Sequence, residues 1–280
     1  MKKKLTMFLM VLGAAMLTTS CLSEQQDLAP KNEESKMGKI VIDLSADASF
    51  NVQTRALSEA AYRSTDNYQV QIFNNDNPTS LLVDCKYSEL DGEMPSSFQP
   101  GTYTVKAFYG TERNYSRNEF YVEGIKNNVT VNAGDKASVA LTCLPTCGKI
   151  SVEFDAAMST YYDSYDVEFS QAVAFAGSSI AWNATDNEPW YVKLGVDGES
   201  LRYTINLTAK DEYAYTDNQG NKKTTGTVTN EFTLQRNRAY KLKIKPEYTP
   251  TAEGGLTVVI EIDESTNPID IPVVVPIDWL

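Results

Sequence analysis

Apolar and polar residues alternate along most of the chain from Lys39 onward, and this period of two constrains the fold more than any other feature. Every second side chain from Tyr103 to Tyr109 is apolar or aromatic, for example. Such alternation is typical of β-strands with one face on a core. Turn sequences such as Asp91-Gly92 lie between the runs. Only two stretches, 58–64 and 156–162, have helical character, so we predict an all-β fold.

The alternating runs form two blocks, residues 38–145 and 146–280, separated at Leu144-Pro145-Thr146. Each block contains about seven candidate strands, which suits a β-sandwich. In the first block, Asn118–Val122 and Asn128–Asn132 are predicted as separate strands. The two blocks begin alike, since both open on Gly-Lys-Ile followed by alternating residues. This similarity favours a duplicated domain.

The chain of 280 residues contains no histidine and has a formal net charge of −12. Without histidine, the Ser-His-Asp and Cys-His triads and His-ligated metal sites are excluded. The acidic balance argues against a nucleic-acid partner, which needs clustered Lys and Arg. Carboxylate catalysis remains chemically open, but the acidic residues are scattered, so we expect no enzyme. We also expect no metal or cofactor, because Asp217–Asn221 lacks the ligand pattern of a calcium loop and suits a hairpin tip.

The N-terminus has the features of a secretory signal. Lys2, Lys3 and Lys4 precede an apolar run, Leu5–Leu17, that is too short for an ordinary transmembrane helix. Small residues then lead into Cys21 and resemble a bacterial lipobox, although Thr18 stands where a branched apolar residue is usual. We predict a lipoprotein signal over 1–21 and acylation of Cys21, for example by palmitate. The alternative is a plain signal with a nearby cysteine. Residues 22–37 are polar and are predicted to be a disordered tether.

The cysteines after residue 21 leave two interpretations open. Cys143 and Cys147 have a spacing that permits a local disulfide, which would leave Cys85 unpaired. They can equally be two small buried apolar residues. Cys143 continues the alternating set that contains Val139 and Leu141, which favours burial.

The C-terminus carries the strongest alternation in the chain. One face holds six apolar residues, and the opposite phase holds two prolines, Pro272 and Pro276, which confine the strand to an edge because they cannot donate ladder hydrogen bonds. Burying six such side chains gives a gross gain on the order of 10 kcal/mol. The strand must therefore pair, either with Leu256–Ile262 of its own chain or with a neighbouring molecule. The six residues are Ile269, Ile271, Val273, Val275, Ile277 and Trp279.

These features together resemble an uncharacterised family of Bacteroides-type surface lipoproteins close to the fimbrillins, the subunits of type V pili. The resemblance is carried by the lipobox, the first Gly-Lys-Ile strand, Thr54-Arg55-Ala56, Tyr68–Phe73 and Pro100–Gly110. It implies two tandem transthyretin-like Greek-key β-sandwiches and a lipid anchor in the outer membrane. It also implies assembly in which an Arg-specific protease removes the first strand and the exposed groove takes a strand from another subunit.

Carried over to this chain, the resemblance implies cleavage after Arg55, which would make Ala56 the new N-terminus. The alternative is a solvated arginine in a connecting loop. The resemblance further implies that the C-terminal strand 269–279 is the donor. The expected partners are therefore other pilus subunits or further copies of this chain, the outer membrane, and a host or glycan ligand. The expected function is a structural or adhesive fimbrial subunit.

A second hypothesis is a surface glycan-binding lipoprotein that does not polymerise. It is motivated by the aromatic residues of the second block, because exposed aromatic rings stack on sugars. The opposing interpretation is that aromatics are favoured in strands and in sandwich cores. The residues are Tyr161, Tyr162, Tyr165, Trp182, Trp190, Tyr191, Tyr213 and Tyr215.

Overall fold

The computed structural model describes residues 37–48, 50, 59–186, 188–217, 219–251, 254–264 and 273–275. Most of these residues lie in strands, which confirms the predicted all-β class. Within this described part of the chain, no helix is long and apolar enough to cross a membrane.

The elements of the first half are β1 (Lys39–Ala46), β2 (Gln69–Asn74), β3 (Asn77–Lys86), α1 (Leu90–Glu93), β4 (Gly101–Gly110), β5 (Tyr115–Ser116), β6 (Tyr121–Val131) and β7 (Lys136–Pro145). Single 3-10 turns occupy 59–62, 65–67 and 87–89. Six of the strands are joined in the order β1-β7-β6-β4-β2-β3. Four of them form an antiparallel layer of order β3-β2-β4-β6, and the last strand of this half, β7, pairs in parallel with the first, β1. A short antiparallel contact, Val122 opposite Pro145 and Glu123 opposite Leu144, links β6 to β7.

The prediction of two separate strands at Asn118–Val122 and Asn128–Asn132 is wrong, because β6 runs without a break through Tyr121–Val131. The polar residues in its middle form a bulge opposite β4 rather than a turn. Asn128 absorbs the irregularity with a φ of 57°, a left-handed conformation that asparagine tolerates better than most residues.

The elements of the second half are β8 (Cys147–Phe154), α2 (Met158–Tyr161), β9 (Tyr162–Ser170), β10 (Ile180–Asn183), β11 (Trp190–Lys193), β12 (Glu199–Ala209), β13 (Tyr215–Thr216), β14 (Lys222–Lys223), β15 (Thr225–Leu234), β16 (Ala239–Thr251), β17 (Gly254–Glu264) and β18 (Val273–Val275). A four-stranded layer of order β10-β9-β12-β15 lies opposite a layer of order β18-β17-β16-β8-β11-β5. The helix α2 is one turn long, and β13 and β14 form a small hairpin whose tip contains Gly220, as predicted.

The two halves repeat one topology. The order β3-β2-β4-β6 of the first half recurs as β10-β9-β12-β15, and the parallel pair β1-β7 recurs as β8-β16. The second half adds strands on both sides of its parallel pair, namely β11 beside β8 and β17 beside β16. The same backbone hydrogen bonds fix each pair: Lys39 N to Asp135 O at 2.8 Å and Gly134 N to Met37 O at 2.9 Å, then Lys149 N to Arg238 O and Asn237 N to Cys147 O, both at 2.9 Å.

The glycine that precedes each of these first strands has the same packing reason. A Cβ atom on Gly38 would lie 2.5 Å from the carbonyl oxygen of Asn132, and one on Gly148 would lie 2.8 Å from that of Gln235. Both oxygens belong to the turn that leads into the parallel partner strand, so the strand can approach this turn only where there is no side chain. The shared Gly-Lys-Ile therefore corresponds to a shared structural requirement.

Each half has its own cluster of buried apolar residues, to which both layers contribute. Cys147, Tyr191 and Ala239 of the second half join the cluster of the first. The strand β5 also crosses over, pairing with β11 at Tyr115 and Ser116. The two cores therefore meet at a packed junction close to Thr146, the residue between β7 and β8.

The cores contain weak acids that burial keeps protonated. Burial raises the pKa of the Cys143 thiol to about 12 and that of the Tyr203 phenol to about 12. Burial likewise raises the pKa of Tyr68 and of Tyr162. These groups retain their protons in the folded chain at pH values at which the unfolded chain has lost them.

We expect Gly148→Ala to lower the free energy of unfolding by about 1–3 kcal/mol, because its Cβ would force the turn at Gln235 away from the strand. Gly92→Ala is the matched control, since nothing lies within 4 Å of a Cβ at that position. Urea denaturation followed by tryptophan fluorescence measures both. Equal unfolding free energies for the two variants would contradict the assigned close approach.

We expect the free energy of unfolding to vary little between pH 6 and pH 8, because the chain has no histidine. Above pH 9 it should fall, by roughly 3 kcal/mol for each group such as Cys143 and Tyr203 as the pH approaches 12. The sign follows from the raised pKa values, since the unfolded chain then binds fewer protons. Urea denaturation at a series of pH values tests this. Constant stability up to pH 12 would contradict it.

Candidate functional site

Strand β1 is attached to the first half along one side. It pairs in parallel with β7 over its whole length, from Lys39 opposite Lys136 to Ala46 opposite Cys143. Among the described strands, β7 is its only ladder partner. A single bridge fixes the residue before the strand, where Gly38 and Phe98 exchange two backbone hydrogen bonds of 2.8 Å.

The inner face of β1 is part of the core. Ile40, Ile42 and Leu44 are at most 7% exposed, whereas the residues between them face solvent. Burying three such side chains contributes a gross gain of roughly 6 kcal/mol. Removing β1 would therefore open an apolar groove along β7.

In β1, the backbone amides that donate hydrogen bonds to β7 belong to the residues whose side chains face solvent. The amide of Lys39 bonds to the carbonyl of Asp135, and eight residues later the amide of Asp47 bonds to that of Cys143, at 3.0 Å. In a parallel ladder the residues between continue this pattern, so Val41, Asp43 and Ser45 also donate towards β7. The backbone groups of the core-facing residues point to the opposite edge.

Tyr87 lies at that opposite edge. The amide of Leu44 donates to the Tyr87 hydroxyl, and the hydroxyl donates to the carbonyl of Ile42, both at 3.4 Å. The two contacts are long, but together they place one side chain against the otherwise open edge of β1. Tyr87 therefore contacts the main chain of β1 on the side that faces away from β7.

The apolar face of β1 continues beyond the strand. Ala48 and Phe50 are 0% and 1% exposed, on the same alternating phase. The Phe50 ring lies 5.3 Å from the ring of Phe120 and 5.6 Å from that of Tyr191, which belongs to the second half. The segment that carries β1 thus also fills part of the junction between the two halves.

A buried ion pair is formed by Glu59, the first residue after the segment 51–58 in the sequence. The Lys149 ammonium is 2.5 Å from a Glu59 carboxylate oxygen, and the Lys149 side chain is 1% exposed. The Tyr191 hydroxyl donates to the same oxygen at 2.9 Å. The ammonium also lies 5.9 Å from the centre of the Phe50 ring. The residues that directly precede and follow 51–58, Phe50 and Glu59, are therefore both held at the junction between the two halves.

Most of the predicted site residues lie outside the described residues, so their roles stay predictions. Val273 and Val275 belong to β18, which pairs antiparallel with β17 of the same chain, Val275 opposite Val258 and Val273 opposite Ile260. The predicted residues outside the described part are Cys21, Arg55, Ala56, Ile269, Ile271, Ile277 and Trp279.

The cysteines Cys85, Cys143 and Cys147 are free and buried. Burial, which the alternation around Cys143 favours, is thus the arrangement found, and the disulfide alternative is not. Among the described residues, no group of three or more Cys, Asp or Glu side chains could hold a metal ion.

Three of the eight aromatic residues that motivate glycan binding, Tyr162, Trp182 and Tyr191, are buried, and the other five are partly exposed. Trp182 is 1% exposed, and the Trp190 ring is covered by the Arg117 guanidinium at 4.5 Å from its centre. A partly exposed cluster remains around Tyr213, whose ring lies 4.9 Å from Tyr161 and 5.3 Å from Tyr248. Neither tryptophan is placed to stack on a sugar.

Three features of this site were missed by sequence reasoning. Phe50 had a usable signal, because it ends the alternation that starts at Ile40. Tyr87 and the pair Glu59–Lys149 had none, since each looks like an ordinary polar position until the chain is folded.

The chain belongs to the family described as DUF4493, a domain of unknown function, whose model matches residues 36–277. This agrees with the predicted relationship to an uncharacterised family. No curated protein sequence matches the chain significantly.

Similar solved structures come from Bacteroides and Parabacteroides. A proposed adhesin from Bacteroides ovatus is 10% identical, with 80% of this chain and 92% of that one covered and a TM-score of 0.40. A proposed polysaccharide-binding protein from Bacteroides thetaiotaomicron is 13% identical, with 80% and 95% covered and a TM-score of 0.41. A fimbrial assembly protein from Parabacteroides distasonis is 12% identical, with 78% and 93% covered and a TM-score of 0.37.

We expect Lys149→Met to lower the free energy of unfolding by about 3 kcal/mol, because it leaves the Glu59 carboxylate without its cation at a buried junction. Lys193→Met is the matched control. It removes an exposed ion pair with Glu112 and should cost less than about 1 kcal/mol. Urea denaturation compares the two. Similar losses would show that the junction does not depend on this ion pair.

Proposed function

We propose that the protein is a structural or adhesive lipoprotein of the cell surface, anchored in the outer membrane through a lipid on Cys21. In this proposal it is the precursor of a fimbrial subunit. Cleavage after Arg55 releases the first strand, and a strand from another subunit takes its place. The protein performs no catalysis and needs no cofactor.

The observation that carries this proposal is the attachment of β1. It is the first strand of the fold, its described ladder lies on one side only, and its apolar side chains fill the core. One cut beyond it severs its covalent link to the rest of the fold, because no element precedes it within the described chain. Arg55 lies in the segment 51–58, between Phe50 and Glu59, and supplies a cleavage point for a protease of arginine specificity.

The rest of the fold retains the contacts that stabilise it after such a cut. Glu59 stays with the main chain and retains its ion pair with Lys149, and β5 remains paired with β11. What is lost is the inner face of β1 together with Ala48 and Phe50. The product would expose an apolar groove and the unpaired edge of β7, a template for strand addition.

The C-terminal segment has the chemistry to fill the groove. From Ile269 to Trp279 it presents six alternating apolar side chains over eleven residues, the same length and period as Ile40 to Phe50. Its gross burial gain, on the order of 10 kcal/mol, is comparable to that of the released segment, which buries Ala48 and Phe50 besides the three core residues of β1. Ordering the segment offsets part of this gain. In its own chain, part of the segment, Val273–Val275, pairs with the edge of β17, and this pairing competes with entry into the groove.

We expect an Arg-specific protease to convert the purified protein into a form that begins at Ala56 and assembles into multimers, detected by N-terminal sequencing and size-exclusion chromatography. Arg55→Ala should abolish both changes, whereas the control Arg63→Ala, an exposed arginine eight residues later, should leave both intact. A variant that lacks residues 269–280 should be cut at Arg55 and remain monomeric.

Strand exchange would be refuted if the parent never assembles once it is cut, or if the truncated variant assembles as the parent does. A cut parent that stays monomeric would favour the surface glycan-binding alternative. The cluster of Tyr161, Tyr213 and Tyr248 is then the surface to examine.

A further inference from the structure

We propose that the C-terminal segment of a second copy enters the place of β1 in the opposite direction, antiparallel to β7, and that Pro272 and Pro276 impose this direction. The inference rests on the proposed strand exchange and adds the geometry of the incoming strand. It follows from the parallel pairing of β1 with β7 and from the positions of the prolines in the sequence.

The direction of a strand decides which of its residues donate to a given neighbour. In an extended chain of L-residues, the backbone N–H and C=O of one residue point to the same side, and successive residues alternate. For a strand at a fixed place with a fixed face on the core, reversing its direction exchanges the two sides. The residues that donate to β7 in one direction therefore point away from it in the other.

In the parallel direction of β1, the donors to β7 are the solvent-facing residues. The amides of Lys39 and Asp47 demonstrate this, because they bond to the carbonyls of Asp135 and Cys143. The core-facing residues point the other way, as the contacts of Leu44 and Ile42 with Tyr87 show from the opposite edge.

A C-terminal segment that entered in parallel would have to donate through its solvent-facing phase. That phase contains Pro272 and Pro276, which have no N–H. Only Asp270, Val274 and Asp278 would donate, and the facing carbonyls of β7 would lose two partners. An unpaired carbonyl next to an apolar groove is costly.

The antiparallel direction removes this defect. The donors to β7 then come from the apolar phase, Ile269 to Trp279, in which every residue has an N–H. The two prolines point to the outer edge, where Tyr87 can donate its hydroxyl proton to a carbonyl of the new strand. Prolines on that edge also prevent a further strand from adding. Antiparallel pairs are in addition slightly more stable than parallel pairs, so the exchange favours assembly.

Disulfide trapping between two copies distinguishes the directions. Ser138 of β7 is exposed and lies opposite Val41 of β1. If the segment from Ile269 to Trp279 replaces the span from Ile40 to Phe50, the antiparallel strand puts Asp278 beside Ser138. The parallel strand puts Asp270 there instead. These two aspartates lie about 26 Å apart along an extended strand.

The acceptor copy carries Ser138→Cys and is cut with the Arg-specific protease, and the donor copy carries either Asp278→Cys or Asp270→Cys. Both copies also carry Cys21→Ser, and tags of different size identify the mixed product. The other three cysteines are buried in the intact chain. Because removal of β1 uncovers the inner face of β7, the acceptor also carries Cys143→Ala. We expect the Asp278→Cys donor to give at least tenfold more mixed disulfide than the Asp270→Cys donor. In a donor that also carries Pro272→Ala and Pro276→Ala, the product from Asp270→Cys should rise.

An excess of the product from Asp270→Cys would overturn the antiparallel direction and leave strand exchange standing. A preference for Asp278→Cys that the alanine substitutions do not weaken would overturn the role of the prolines. If neither donor forms a disulfide although the parent assembles, the segment does not lie beside β7, and the inference is wrong. If the cut parent does not assemble at all, the proposed function fails and this inference fails with it.

Discussion

The parallel pairing of a first strand with a last strand is the constraint on which both halves depend. In the first half it joins β1 to β7, and in the second it joins β8 to β16. The pairing brings the first and last strands of a half side by side. The strands that lie between them in the sequence form the four-stranded layer, and the parallel pair packs with it around the core. The pairing requires a glycine before the first strand, because the turn into the last strand crosses closely there.

The halves use this constraint differently. In the second half the parallel pair lies inside a sheet, with β11 on one side and β17 on the other. In the first half β1 has no described strand on its outer side, and the Tyr87 side chain takes that place. The same topological unit is thus enclosed in one half and accessible in the other. Among the described strands, an open outer side of the first strand is therefore a feature of the first half alone.

Much of the fold could be predicted from the period-two pattern, because a strand with one buried face has an apolar residue at every second position. Runs such as Tyr103–Tyr109 and Leu201–Leu207 appear as strands where expected. The bulge in β6 is not predictable from the pattern, because Lys126-Asn127-Asn128 has the composition of a turn and only its pairing with β4 shows that the strand continues. Lys149 matches Lys39 in sequence and yet is buried, because residues from the other half cover it. The alternation within a strand does not indicate whether a segment distant in sequence covers the outer face of that strand.

The direction of the β1–β7 pair has a mechanical meaning as well. The chain enters β1 at its N-terminal end and leaves β7 at its C-terminal end towards β8, with one residue, Thr146, between β7 and β8. Because the two strands run the same way, these ends lie at opposite ends of the ladder. A pull between the start of β1 and the second half therefore acts along the strands and loads all their hydrogen bonds in shear. Such a force cannot open the ladder one bond at a time. The first strand therefore resists a pull along the chain more strongly than a strand that could be peeled away bond by bond.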